Sequence, residues 1–168
     1  MSPAWMDKEN EETRRAASEA DARNRQRADV EAKIANQGAG VFQRFVRELK
    51  ANTDALPTLI GQEISGSTSP QANVSCTVCV NWGNIQRGPN SIMWHFHSSA
   101  SGIRLVTGIG EDEVLFLFRL DAKGEVGIRY GTTVVTPEKM AELTIKEMRD
   151  RAMGKLTSTA HQVPLARG

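Results

Sequence analysis

Several features that would identify a protein quickly are scarce here. There are two cysteines and one tyrosine, and aromatic residues are only 5% of the 168 positions. So few cysteines cannot supply the framework of a small secreted domain, and disulfides are not expected to hold the fold. The formal net charge is +1, so the chain as a whole points to neither nucleic acid nor an anionic membrane surface. Its longest apolar run, Val114–Phe118, is far below the roughly 20 residues of a membrane-spanning helix. Met1–Asn10 has no basic stretch leading into an apolar one, so a secretory signal is not expected. The default is a cytoplasmic protein, of a cell or of a virus that infects it. Gly-x-Ser-x-Gly and Walker-type patterns are missing. Gly108-Ile109-Gly110 lacks the third glycine, following helix and βαβ setting of a dinucleotide fingerprint. No internal repeat stands out.

What is present falls into three zones. The first, residues 1–37, is a charged arm rich in Ala, Arg and Glu, with almost no large apolar residue between Met6 and Val30. Its helix propensity is high. Glu11–Arg15, Glu19–Arg23, Asp21–Arg25 and Asp29–Lys33 each place an acid four residues before a base, which supports a helix by about 0.2–0.5 kcal/mol per pair. A coiled-coil seam is not expected, because the best stripe, Ala16 and Ala20, runs into Arg23 and Arg27. The arm reads either as a solvated segment or as a docking element that orders on a partner. Arg23, Arg25 and Arg27 could touch phosphate, although Glu19, Asp21, Asp29 and Glu31 surround them.

The second zone, residues 38–154, reads as a single α+β domain. Gln37-Gly38-Ala39-Gly40 is expected to break the helix. Val41, Phe42, Phe45, Val46 and Leu49 then form one apolar stripe, which predicts an amphipathic helix over about 41–53. Glu63–Ser65 suits a short first strand, followed by a loop over Gly66–Asn73. Val74–Trp82 alternates, with Val74, Cys76, Val78, Val80 and Trp82 on one side. Gly83–Ser91 reads as a loop and Ile92–His97 as the next strand. Ile103–Thr107, Glu113–Leu120, Glu125–Tyr130 and Thr132–Val135 continue the meander, with a hairpin loop at Asp121-Ala122-Lys123-Gly124. Thr136 as N-cap, Pro137 at the first position and Gly154 as the stop frame a last helix. Its inward stripe is Met140, Leu143, Thr144, Met148 and Ala152. The expected fold is therefore an antiparallel sheet of five or six strands, with one helix before it and one after it packed on a single face. The third zone, residues 155–168, reads as a loose tail.

Three sets of residues carry candidate chemistry. Cys76-Thr77-Val78-Cys79 has CxxC spacing, but residues three apart in a strand face opposite ways, so Cys76 is expected in the core and Cys79 outside it. His95 and His97 share a face and are weak metal candidates that need a third ligand. His161 or a carboxylate such as Glu63, Glu113 or Glu125 would have to supply it. Strand parity also puts Asn81, Arg104, Arg119 and Arg129 on the histidine face, together with Leu115 and Leu117. Such a mixed face suits a protein partner or a small anionic ligand better than duplex DNA. Ser98, Ser99 and Ser101 read as a serine-rich turn rather than a nucleophile.

The leading expectation is a non-catalytic binding or adaptor protein that works through protein–protein contacts, with self-association among them. No cofactor is expected. The alternative is a small ligand-binding or metal-dependent enzyme domain using the polar sheet face. A nucleic-acid-associated protein comes third, because it would need the arm arginines and Lys50 to form one basic stripe.

Overall fold

The computed structural model describes residues 3–56, 58–59, 62–84, 88–107 and 113–154. The protein is α+β, with two helices and one antiparallel sheet. The first helix, α1, spans Ala4–Asp54. The strands follow as β1 Thr58–Leu59, β2 Gln62–Gln71, β3 Ser75–Asn84, β4 Gly88–Ser98, β5 Gly102–Thr107, β6 Glu113–Leu120, β7 Val126–Tyr130 and β8 Thr133–Val135. Helix α2, Pro137–Ala152, closes the order. Each strand pairs with its sequence neighbours, so the sheet is a plain meander from β1 to β8. It has seven strands beyond the two-residue β1, more than the five or six expected.

Two compact units divide the chain, residues 1–33 and 34–168, so α1 contributes to both. Within the first unit every residue from Pro3 to Asp29 is exposed. Glu11–Arg15 and Glu19–Arg23 close to 3.8 and 3.9 Å.

The second unit is built around one apolar layer. Phe42, Phe45 and Leu49 of α1 are fully buried, as are Val78, Phe96, Leu105, Phe118 and Ile128 of the sheet. The Phe45 and Phe96 rings meet edge-on at 5.2 Å, and Arg151 of α2 sits over the Trp94 ring at 5.7 Å. Phe96 and Trp94 share one face of β4, so both helices cover the same side of the sheet. Arg44 grips Glu138 through both carboxylate oxygens, at 2.8–3.0 Å, and so joins the two helices.

The expected helix break at residues 37–40 does not occur. Gly38 is buried against the sheet, where an added Cβ would lie 2.9 Å from Phe118 Cε2. A glycine inside a helix costs about 1 kcal/mol. Here it allows the close approach that packs α1 on β6, and that contact offsets the propensity cost.

Most of one expected loop, and the described residues of another, are strand instead, while residues 85–87 lie outside the described residues. Gly66–Gln71 belongs to β2 and pairs residue by residue with Ser75–Val80. This stretch is too polar to show alternation, yet Thr68 is buried and its hydroxyl lies 3.0 Å from that of Thr53 on α1. Pro70 is tolerated because β1 covers only Gln62 and Glu63, which leaves β2 as an edge there. The backbone of Gly88-Pro89-Asn90 likewise pairs with β3, so that hairpin runs on to Asn84 and Gly88. Val74, expected inside, is 58% exposed because it sits in the β2–β3 turn.

The other expected hairpin loop forms at Asp121, whose Oδ1 accepts from the Lys123 and Glu125 amides at 2.8 and 2.9 Å. Gly124 takes φ 79° there. Thr136 caps α2 by accepting from the Lys139 amide at 3.1 Å. The buried stripe of α2 includes Ala141 and Ile145 beside Met140, Thr144, Met148 and Ala152, while Leu143 is only half-buried. Gly108–Asp112 and residues 155–168, with His161, lie outside the described residues.

Candidate functional site

With one face of the sheet under the helices, the other is the first place to look for a site. Register places its residues in rows. One row runs Ser69, Thr77, His95, Val106, Glu113, and the next Gln71, Ser75, His97, Arg104, Leu115. His95 Nδ1 lies 2.9 Å from the Thr77 hydroxyl, which fixes the ring against its neighbour strand. Arg104, opposite His97, makes a 3.3 Å ion pair with Glu113. Met93 and Leu115 stand on the same face, 47% and 49% exposed. The surface is mixed in chemistry and half-exposed.

The expected site residues do not all converge. His95, His97 and Arg104 are neighbours. Asn81 stands two rows away and accepts from the Cys79 thiol at 3.5 Å. Arg119 is four residues along β6 from Leu115, the partner of Arg104, which is about 13 Å at strand rise. It donates to the Phe118 carbonyl at 2.9 Å. Arg129, on β7, donates to the Gly131 carbonyl at 3.1 Å. A shared anion grip on both arginines and both histidines is therefore not assembled. Among the described residues, no three His, Cys, Asp or Glu side chains come together to hold a metal ion.

The CxxC cysteines are separated by strand parity. Cys76 is buried, and burial pushes its thiol up to about 12. Cys79 is half-buried on the other face, with its sulfur 3.4 Å from the Ser91 hydroxyl. Ser99 is occupied with its own turn, exchanging hydrogen bonds with Gly102. Half-buried Trp82 has an indole N–H with no partner among the described residues.

Sequence reasoning missed a groove of about 380 Å³ between α1 and the β2–β3 hairpin. Phe42, Val46 and Pro70 supply its apolar lining, and Gln43, Arg47 and Lys50 its helix-side rim. Asn73 and Ser75 close the hairpin side. The turn is held in an unusual backbone conformation, with Ala72 at φ 49° and Asn73 at φ 59°. Only the basic pair Arg47 and Lys50, one turn apart beside the apolar stripe, hinted at it. The concavity itself depends on β2 being a strand.

The exposed half of α1 holds Arg23, Arg25 and Arg27, with Arg23 paired to Glu19. Trp5 and Met6, at its start, are 60% and 44% exposed. No helix among the described residues is long and apolar enough to cross a membrane. Compared with protein-family models, curated proteins and solved structures, the chain matches none of them.

Proposed function

We propose that this protein is a non-catalytic adaptor acting through protein–protein contacts, with the Ala4–Lys33 part of α1 as its docking element. The observation that supports this reading is a helix in which every residue from Pro3 to Asp29 is exposed, with Trp5 and Met6 bare at its start. Ion pairs as exposed as Glu11–Arg15 and Glu19–Arg23 contribute about 0–1 kcal/mol each, and most helical stability in proteins comes from tertiary packing, which the exposed residues 3–29 do not make. A partner surface would cover the bare aromatic and complete the energetics of such a helix.

The test is site-specific photo-cross-linking in the native host. A photoreactive residue is placed singly at Trp5, Ala16, Arg23 or Arg27, with Lys123 in the β6–β7 turn as control. Protein adducts are expected from arm positions on one helix face and none from Lys123. Arm positions that give no protein adduct, in cells where the chain is expressed normally, would overturn the reading.

A further inference from the structure

We propose that the groove between α1 and the β2–β3 hairpin is a receptor for a short acidic segment with an aromatic anchor, and that the segment is Trp5–Glu12 of a second copy of this chain. The proposal shares with the adaptor reading the role of Trp5 as a contact residue. It adds the receptor and the identity of one partner.

Size decides first between classes of occupant. A volume of about 380 Å³ lies at the small end of the roughly 300–1,000 Å³ of ligand pockets. It has room for one or two side chains and little more. Chemistry decides next. Phe42, Val46 and Pro70 offer an apolar seat, and Arg47 and Lys50 set two cations on its rim. Lys50 is bonded to Asp54 at 3.0 Å, but both side chains are more than half exposed. Such a pair is weak and free to exchange. Among the described residues Arg47 has no acidic partner. The matching segment would pair a large apolar side chain with several carboxylates.

The chain carries such a segment at its own N-terminus. Trp5 and Met6 are exposed, and Asp7, Glu9, Glu11 and Glu12 against Lys8 give that stretch a net charge of 1 − 4 = −3. Seating Trp5 in the groove removes a bare indole from water and brings those acids onto Arg47 and Lys50. Complementary charge would steer the encounter and set its direction, while the buried ring would supply most of the affinity. The contact is heterologous, because the segment and the groove are different surfaces. Reciprocal exchange of the segment between two copies closes a dimer, and one-way docking builds larger rings or open chains.

The experiment uses the full-length chain carrying Trp5→Ala, so that its own N-terminus does not compete. The probe is a fluorescently labelled peptide of residues 3–13, followed by anisotropy at low salt. Saturable binding is expected, weakened about tenfold or more by Arg47→Glu with Lys50→Glu, and by a similar factor when the peptide carries Trp5→Ala. Both groove side chains are exposed, so the variant should keep the melting temperature of the parent. Should it fail to fold, Arg47→Ser alone replaces it. A peptide with Glu9→Lys, Glu11→Lys and Glu12→Lys should recover binding to the charge-reversed groove. In sedimentation, the unmodified chain should grow in mass with concentration, and Trp5→Ala should abolish this. Absence of peptide binding overturns the proposal, and so does equal binding to parent and charge-reversed grooves. If the peptide fails while arm positions still cross-link to another protein, the groove assignment falls and the adaptor reading stands.

Discussion

Between Ala4 and Lys33, α1 carries exposed ion pairs at 3.8 and 3.9 Å; between Ile34 and Asp54 it carries Phe42, Phe45 and Leu49, none more than 1% exposed. Both stretches are helical, for different reasons. The first rests on residue propensity and on pairs four apart, each of which adds a few tenths of a kcal/mol. The second rests on burial, where one large side chain contributes about 1.5–3 kcal/mol. The difference teaches where information sits. In the first stretch many residues could be exchanged for one another without loss of helix, so selection on identity there would have to come from a partner. In the second each position answers to a neighbour across the core.

The sharpest way to break this comparison is to remove the core side of it. Phe45→Ala takes away a fully buried ring that meets Phe96 edge-on at 5.2 Å. It should cost about 3–5 kcal/mol in urea denaturation, the range for a large side chain that leaves a cavity. Ala20→Gly, in the exposed stretch, should leave the same transition where it was. A loss below about 1 kcal/mol for Phe45→Ala would mean that the helix is not seated as described.

The two glycines of α1 give a finer contrast. Gly38→Ala should destabilise by about 1–3 kcal/mol, because its methyl would meet the buried Phe118 ring at 2.9 Å. Gly40→Ala meets nothing within 4 Å and should stabilise by about 0.5–1 kcal/mol through helix propensity. Thermal melts of the pair should therefore shift in opposite directions. Equal shifts would show that propensity, not packing, governs this turn.

Deleting residues 1–33 should change the stability of the remainder by no more than about 1 kcal/mol, because every side chain from Pro3 to Asp29 is exposed. A calorimetric transition that vanishes in the truncated chain would show the first stretch to be integral.

The smallest expected effect is at Arg44–Glu138. Burial raises the Glu138 carboxyl, but its backbone hydrogen bond, Arg44 and Thr136 together outweigh this and leave it below its ordinary value. A depressed carboxylate stabilises the fold above its unfolded value and loses that contribution as pH falls through the folded one. Both side chains are more than a third exposed, so solvent screening limits the pair to about 0.2–1 kcal/mol. Glu138→Gln should thus lower the melting temperature slightly at neutral pH. The gap to the parent should close on acidification below the ordinary carboxylate range near 4.5. A gap that persists at low pH would assign the effect to the N-cap region instead of the ion pair.

Much of the fold was legible where apolar period and turn chemistry agreed. The stripe from Val41 to Leu49 is the buried face of α1, and Thr136, Pro137 and Gly154 frame α2. Parity within β3 and β4 separated Cys76 from Cys79 and turned Trp94 and Phe96 inward. The candidate site was less legible. Parity could say that His95, His97 and Arg104 share a face, but not that Arg119 and Arg129 lie further along the sheet, since distance depends on register between strands. The groove was invisible, because Gly66–Gln71 carries no alternation to mark it as strand.

Local chemistry alone was enough to give the helical character of the first zone and of residues 137–152, the inward face of the middle of β3 and of β4, and the caps of the last helix. These follow from side-chain spacing and from hydrogen bonds within a few residues. Tertiary contacts decided that α1 continues through Gly38, that β2 extends to Gln71, and that a groove forms where the two meet. Each of those outcomes overrides a local preference worth about 1 kcal/mol with packing or a ladder of backbone hydrogen bonds supplied from elsewhere in the chain. Phe118 lies 80 residues from Gly38, and Thr53 sits on a different element from Thr68, so neither contact follows from the spacing within one helix or strand.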